Sequence, residues 1–272
     1  MTTFLLCDNG SSRPQATLQL RQLASKLTEK IDKTIHPVSL QHANRIPADQ
    51  LGGEPAATFV NFLEDKLQQG EKDFIVLPLF FGYSKALSSF IPEKTELLKQ
   101  QFGEFNLRIA DVVYPLPDGE PLLTNIVTDH IFQSTNLSSQ KEKHIVLVDH
   151  GSPIPRVTEV RNHLAKAVQN KLPSEYVVDQ AVMERREGAE YDFNGSLLAE
   201  ILEKKALEGV NNIAVILLFF LPGRHAGEGG DIVEICDEVT QRYTDFEVQL
   251  SPLIAEHPQF VEILIKRLDA AT

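Results

Sequence analysis

Basic residues are in short supply: 26 lysines and arginines face 38 acids, leaving a formal net charge of −12 over 272 residues. A nucleic-acid binder needs a basic face, so that class is excluded. Cysteine is scarce too. Cys7 and Cys236 stand far apart, which leaves no CxxC, no zinc knuckle and no cluster-binding set; both are expected to be small buried hydrophobes. No apolar run reaches the roughly 18 residues that a membrane span requires, so no membrane partner is expected. Met1-Thr-Thr-Phe-Leu-Leu leads into a strand pattern without a basic leader, and the expected compartment is the cytoplasm. The oligomeric state is not legible in the residues.

What is present is a duplication. Phe4-Leu-Leu-Cys-Asp-Asn-Gly-Ser11 matches Ile145-Val-Leu-Val-Asp-His-Gly-Ser152 position for position, and Ile75-Val-Leu-Pro-Leu-Phe-Phe81 answers Ala214-Val-Ile-Leu-Leu-Phe-Phe220. Pro115-Leu116 followed by Pro121 answers Pro252-Leu253 followed by Pro258. Each copy reads as four alternations of strand and helix. In the second copy the strands are expected near 144–149, 175–182, 212–221 and 246–250, continuous in apolar residues as in parallel strands buried on both faces. Val157, Val160, Leu164 and Val168 keep helical spacing, as do Ile232, Ile235, Cys236 and Val239. Pro155 suits a first helical turn, and Asp231 suits an N-cap. The polar stretch Ser134–Lys143 reads as the linker between a lobe at 1–134 and a lobe at 144–272. The fold class is α/β: two duplicated flavodoxin-like or Rossmann-like lobes, each a parallel four-stranded sheet flanked by helices.

Open parallel sheets bind ligands beyond the carboxyl ends of their strands. In the second copy His150 follows the first strand, Glu184 the second, and His225 lies beyond the third. Two imidazoles and a carboxylate thus share one end of one sheet, a set suited to divalent metals or to proton transfer. The first copy has Asn9 in place of His150, Asn44 opposite Glu184 if Arg45 and Arg185 are aligned, and Ser84 or Ala86 opposite His225. All three positions are non-ionising there, which points to one working site and one structural copy. Gly223–Gly230 lacks the Walker lysine and the GxGxxG spacing, so it reads as a lid or an ordinary turn and not as a phosphate loop. Ser152 follows His150 without forming a nucleophile elbow. His163 and His257 read as helix-surface residues; His36, His42, His130 and His144 have no partner that the sequence names. Phe80, Phe81, Phe219 and Phe220 read as core strand residues.

The ordered set Val148-Asp-His-Gly-Ser152, Ala181-Val-Met-Glu184, Leu217-Leu-Phe-Phe-Leu-Pro-Gly-Arg-His225, Asp231-Ile232 and His257-Pro258 resembles the class II tetrapyrrole chelatases, in particular the sirohydrochlorin cobalt/iron chelatase family of cobalamin and sirohaem synthesis. The resemblance covers nearly the whole chain. It departs from the family pattern at Leu217, where proline is usual, and in two extra residues before Asp231. It implies a two-lobed lyase whose cleft holds a tetrapyrrole, with His150 and His225 binding the metal and Glu184 or a histidine accepting pyrrole protons. The metal, Co²⁺ or Fe²⁺ and possibly Ni²⁺, is a substrate, and no organic cofactor is implied. Arg156, Arg185, Arg186, Arg224 and Ser152 lie beside these positions and suit a polycarboxylate ring. A protohaem-type ferrochelatase, a non-catalytic metal or tetrapyrrole carrier, and a two-lobed solute sensor are the other readings.

Overall fold

A computed structural model describes residues 2–134, 137 and 141–272. Half of the Ser134–Lys143 linker therefore lies outside the described residues. The first copy runs β1 (Thr3–Asp8), α1 (Pro14–Ile31), β2 (Ile35–Ser39), α2 (Phe59–Gln68), β3 (Asp73–Pro78), α3 (Ile91–Phe102), β4 (Asn106–Ile109) and α4 (Pro121–Phe132). The second runs β5 (Lys143–Asp149), α5 (Pro155–Lys171), β6 (Tyr176–Val182), α6 (Leu198–Leu207), β7 (Asn212–Leu217), α7 (Asp231–Arg242), β8 (Glu247–Leu250) and α8 (Phe260–Ala271). The two sheets have the same all-parallel order, β2-β1-β3-β4 and β6-β5-β7-β8. Two crossovers of opposite sense leave the ends of the first and third strands adjacent at the switch point, where such folds hold ligands.

The backbone repeats as closely as the sequence. The Leu79 amide donates to the Cys7 carbonyl as Leu218 donates to Val148, and Val113 donates to Phe80 as Ile254 donates to Phe219. The central strands are buried except at the ends of β3, β5 and β7, whereas the edge strands β4 and β8 carry mostly partly exposed residues. The third strand of the second copy ends at Leu217, short of the expected 221. Phe80, Phe81, Phe219 and Phe220 consequently lie past the strand ends, where their carbonyls anchor the next loop. Cys7 and Cys236 are both buried thiols, and burial pushes Cys236 up to about 12.

The described residues pack as two compact units, one of Met1–Pro115, Pro222–Arg224 and Val261–Thr272, the other of Leu116–Leu221 and His225–Phe260. The sequence repeats and the packed units thus differ in their last helices: α4 joins the second unit and α8 the first. The α4 residues Leu123, Ile126, Val127 and Ile131 are buried along with Thr124, Thr128 and His130, so this helix needs cover on most of its circumference. In the first unit, buried Arg267 on α8 donates to the Val112 and Val113 carbonyls at 2.8 and 3.2 Å. No helix among the described residues is long and apolar enough to cross a membrane.

His257 is not on a helix surface. It follows a short 3-10 turn, its ring lies 5.7 Å from that of His130, and its Nε2 is 3.5 Å from Asp129. His130 is buried, and desolvation, reinforced by the charge of His257, lowers it to about 4.

Candidate metal centre

The second unit places His150 directly after β5 in the tight turn His150-Gly151-Ser152. Gly151 has a φ of 90°, and a Cβ there would sit 2.0 Å from the Glu184 carbonyl oxygen. Only glycine allows this approach, and the approach brings the two loops together. The Met183 amide donates to the Asp149 carbonyl at 2.8 Å and the Glu184 amide to the His150 carbonyl at 3.2 Å. His150 Nε2 then stands 3.3 Å from Glu184 Oε1. From the loop beyond β7, the His225 ring lies 4.6 Å from the His150 ring at an interplanar angle of 72°. The expected pairing of two distant imidazoles at neighbouring strand ends is present.

Both nitrogens of His150 face acceptors, Nδ1 the Gly151 carbonyl at 3.0 Å and Nε2 the Glu184 carboxylate at 3.3 Å, so either can carry the ring hydrogen. His225 Nδ1 lies 2.7 Å from Asp231 Oδ2, an acceptor, and is assigned the hydrogen when that ring is neutral. This leaves the His225 lone pair on Nε2, the nitrogen open to a metal. His150 is about half exposed and His225 about a quarter, so a solute can reach both. The three residues do not close into a triad: Glu184 meets His150, while His225 meets Asp231. Among the described residues no group of three or more His, Cys, Asp or Glu side chains is arranged to hold a metal ion.

Asp231 is the first residue of α7 and not its N-cap, which is Gly230. Its carboxylate favours the positive helix end and orients His225, a role that its position in the sequence did not reveal. A second group was also unforeseen. Asp149 Oδ1 accepts from Arg161 Nη1 at 2.6 Å and from the Gly151 amide at 3.0 Å. Withdrawal from water raises the Asp149 carboxyl above its ordinary value, and the Arg161 guanidinium pulls against that rise. Arg161 Nη2 donates to the Asn194 carbonyl at 2.6 Å. Asn194, which ends the 3-10 segment Ala189–Asn194, accepts from the Ser152 amide and donates to the Ser152 carbonyl. The one available signal was Arg161 itself, a charge set inside the apolar stripe Val157, Val160, Leu164 and Val168.

The remaining site candidates divide. Ser152 Oγ accepts from the Ile154 amide at 3.0 Å, so this residue is tied into the turn. Arg185 donates to the Gly195 carbonyl at 2.8 Å and lies 3.8 Å from Asp192. The Arg186 guanidinium sits 5.8 Å over the Tyr191 ring. Arg156, at the start of α5, and Arg224, just before His225, are exposed.

In the first unit the counterpart of Glu184 is Gln41, not Asn44. A Cβ on Gly10 would meet the Gln41 carbonyl oxygen at 1.8 Å, and the Gln41 amide donates to the Asn9 carbonyl at 3.3 Å, repeating the contacts of Gly151 and Glu184. Aligning the two arginines shifted the register because the loops after β2 and β6 differ.

The CbiX family model matches residues 3–133 and again residues 144–271. Among solved structures the chain is similar to SirB from Bacillus subtilis with Fe³⁺, at 15% identity and a TM-score of 0.72, covering 99% of this chain and 95% of that one. It is similar to the sirohydrochlorin chelatase SirB from B. subtilis subspecies spizizenii in complex with cobalt, at 15% identity and a TM-score of 0.67, covering 99% and 94%. It is also similar to CbiX, described as the terminal enzyme for biosynthesis of siroheme in denitrifying bacteria, at 14% identity and a TM-score of 0.63, covering 99% of both chains. No curated protein sequence matches. Two successive matches to one family model, on two sheets of identical order, establish that this chain belongs to the CbiX family.

Proposed function

We propose that this protein is a metal chelatase that inserts Co²⁺ or Fe²⁺ into sirohydrochlorin or a closely related tetrapyrrole, with His150 and His225 holding the ion. The observation that carries this reading is the pair of imidazoles 4.6 Å apart at adjacent strand ends, with a carboxylate beside His150 Nε2 and Asp231 behind His225 Nδ1. Family membership and the Fe³⁺ and cobalt described with the SirB structures support it.

The reaction exchanges a hydrated dication and a free-base ring for a metallated ring and two protons. Neutral imidazoles suit borderline divalent ions, and they displace water from the ion before the ring does. Glu184 Oε1, 3.3 Å from His150 Nε2, stands beside the pair as an acceptor for a pyrrole proton as the ring nitrogens take the ion, and its exposure lets that proton pass to water. The second proton passes to water or to an imidazole once the metal has left it. Arg156 and Arg224 supply local positive charge for the ring carboxylates on a protein of net charge −12.

The test is anaerobic mixing of the protein with sirohydrochlorin and Co²⁺ or Fe²⁺, followed by absorbance, with protoporphyrin in a parallel arm. Many turnovers with sirohydrochlorin support the chelatase; a halt at about one equivalent identifies a carrier by site stoichiometry. Turnover confined to protoporphyrin transfers the protein to the protohaem-type reading. His225→Ala is expected to abolish insertion while its circular dichroism stays that of the parent, and an unchanged rate in that variant removes His225 from the site.

A further inference from the structure

We propose that the buried Arg161–Asp149–Asn194 assembly is a positioning device for His150, present only in the unit that carries the histidines. The inference rests on the proposed metal-holding role of His150 and goes beyond it by naming what aims that ring.

The assembly grips the turn on both sides of the histidine. On one side Asp149, the residue before it, is held by Arg161 at 2.6 Å and itself accepts the Gly151 amide at 3.0 Å. On the other, Asn194 binds Ser152 through the amide at 3.0 Å and through the carbonyl at 2.8 Å. Asn194 also accepts from Thr158 Oγ1 at 3.1 Å and donates to the Tyr191 carbonyl at 3.1 Å, while its own carbonyl takes Arg161 Nη2 at 2.6 Å. Arg161 completes the frame by reaching Gln180 on β6 at 3.4 Å. Arg161 is 3% exposed and Asn194 1%, so these bonds are shielded from competing water. Neither contacts the His150 ring. What they fix is the backbone of Asp149, Gly151 and Ser152, including the Gly151 carbonyl that lies 3.0 Å from His150 Nδ1. Ring orientation is therefore set with the turn.

The first unit supplies the control. Its corresponding acid, Asp8, has no arginine: α1 carries Leu20 where α5 carries Arg161, counting from Pro14 and Pro155 at the two helix starts. Asp8 Oδ1 is buried and, among the described residues, finds no hydrogen-bond partner. The turn that follows bears Asn9. The backbone of the turn is common to both units, so the fold does not require the arginine; it accompanies the histidine.

The experiment compares Arg161→Leu, which installs the residue of the first copy, with Arg161→Lys and Asn194→Ala. Each variant is titrated with Co²⁺ alone, monitored by its d–d absorption, and assayed for kcat and KM with sirohydrochlorin; thermal melts record the folded fraction. Arg161→Leu and Asn194→Ala are expected to weaken Co²⁺ binding and lower kcat by about 10–100-fold, the usual effect of losing support behind a ligand, with KM for the ring nearly unchanged. Arg161→Lys, which keeps the charge beside Asp149, is expected to recover part of the loss. Folded Leu and Ala variants with parental Co²⁺ affinity and kcat overturn the proposal, as does an activity loss that only follows the folded fraction. Should Arg161→Leu fail to fold, the Asn194→Ala and Arg161→Lys arms decide the matter. Parental protein that binds Co²⁺ yet never metallates sirohydrochlorin refutes the chelatase reading alone, because the Co²⁺ titrations still measure the aim of His150.

Discussion

The two sheets share strand order, loop anchoring and the same glycine turn, yet one turn ends in Asn9 beside Gln41 and the other in His150 beside Glu184. Asparagine and glutamine fill nearly the same space as the residues they parallel and still make hydrogen bonds. The first unit has thus kept the shape of the site without its titratable groups. The difference extends beneath the surface. Asp149 is compensated by Arg161, whereas Asp8 is held by the Ser39 hydroxyl and the Gly10 amide, and burial pushes it up to about 6. The backbone of a strand-end site can be inherited unchanged while its chemistry depends on a few side chains and on the buried charges that support them.

The largest expected effect comes from making the second unit like the first. His150→Asn should abolish metallation of sirohydrochlorin in the anaerobic absorbance assay, with the fold retained. The reverse exchange, Asn9→His with Gln41→Glu, should leave Co²⁺ stoichiometry unchanged in equilibrium titration, since Leu20 offers no support behind that turn; a second bound ion per chain would break the comparison. Glu184→Gln, which copies Gln41, is expected to lower kcat by about 100-fold, the scale of a lost proton acceptor, measured as the initial rate of metallation at saturating Co²⁺.

Stability should separate the two acids by sign. Asp149→Asn leaves the Arg161 guanidinium buried without its counter-charge, and urea denaturation at neutral pH is expected to show a loss of about 3 kcal/mol. Asp8→Asn removes a desolvated acid and is expected to gain about 1 kcal/mol under the same conditions.

The smallest effect is a pH dependence. The native state holds the Asp8 proton up to about 6, above the ordinary carboxylate value of 3.8, so this group adds stability as pH falls from about 6 toward 4. His130, lowered from 6.5 to about 4, acts oppositely: the unfolded chain takes up the proton first, and stability is lost over that fall. The two slopes oppose each other in the parent. Asp8→Asn should therefore steepen the acid loss of stability between about pH 6 and pH 4, as read from denaturation midpoints.

Much of this was legible beforehand. Continuous apolar strands alternating with amphipathic helices specified parallel sheets, and the strand-end rule placed His150, Glu184 and His225 together. What escaped was whatever depends on how helices rotate and loops travel. Asp231 read as a cap because its spacing to α7 is local, while its bond to His225 closes a loop of five intervening residues whose path the sequence does not state. Gln41 was missed because charge patterning suggested a register that backbone packing overrules. Arg161 was visible as an anomaly in an apolar stripe, but naming Asp149 and Asn194 as its partners required three separate elements to be in place.

The amino-acid order alone determined a duplicated parallel fold with one ionisable copy, because side-chain periodicity and strand-end position are local properties of the chain. Only the tertiary structure decided which atoms face each other: that Nδ1 of each histidine faces an acceptor, that Asp231 and Arg161 stand behind the pair, and that the last helices trade units. Those contacts join residues far apart in sequence, and their geometry follows from packing against neighbours that no local pattern encodes.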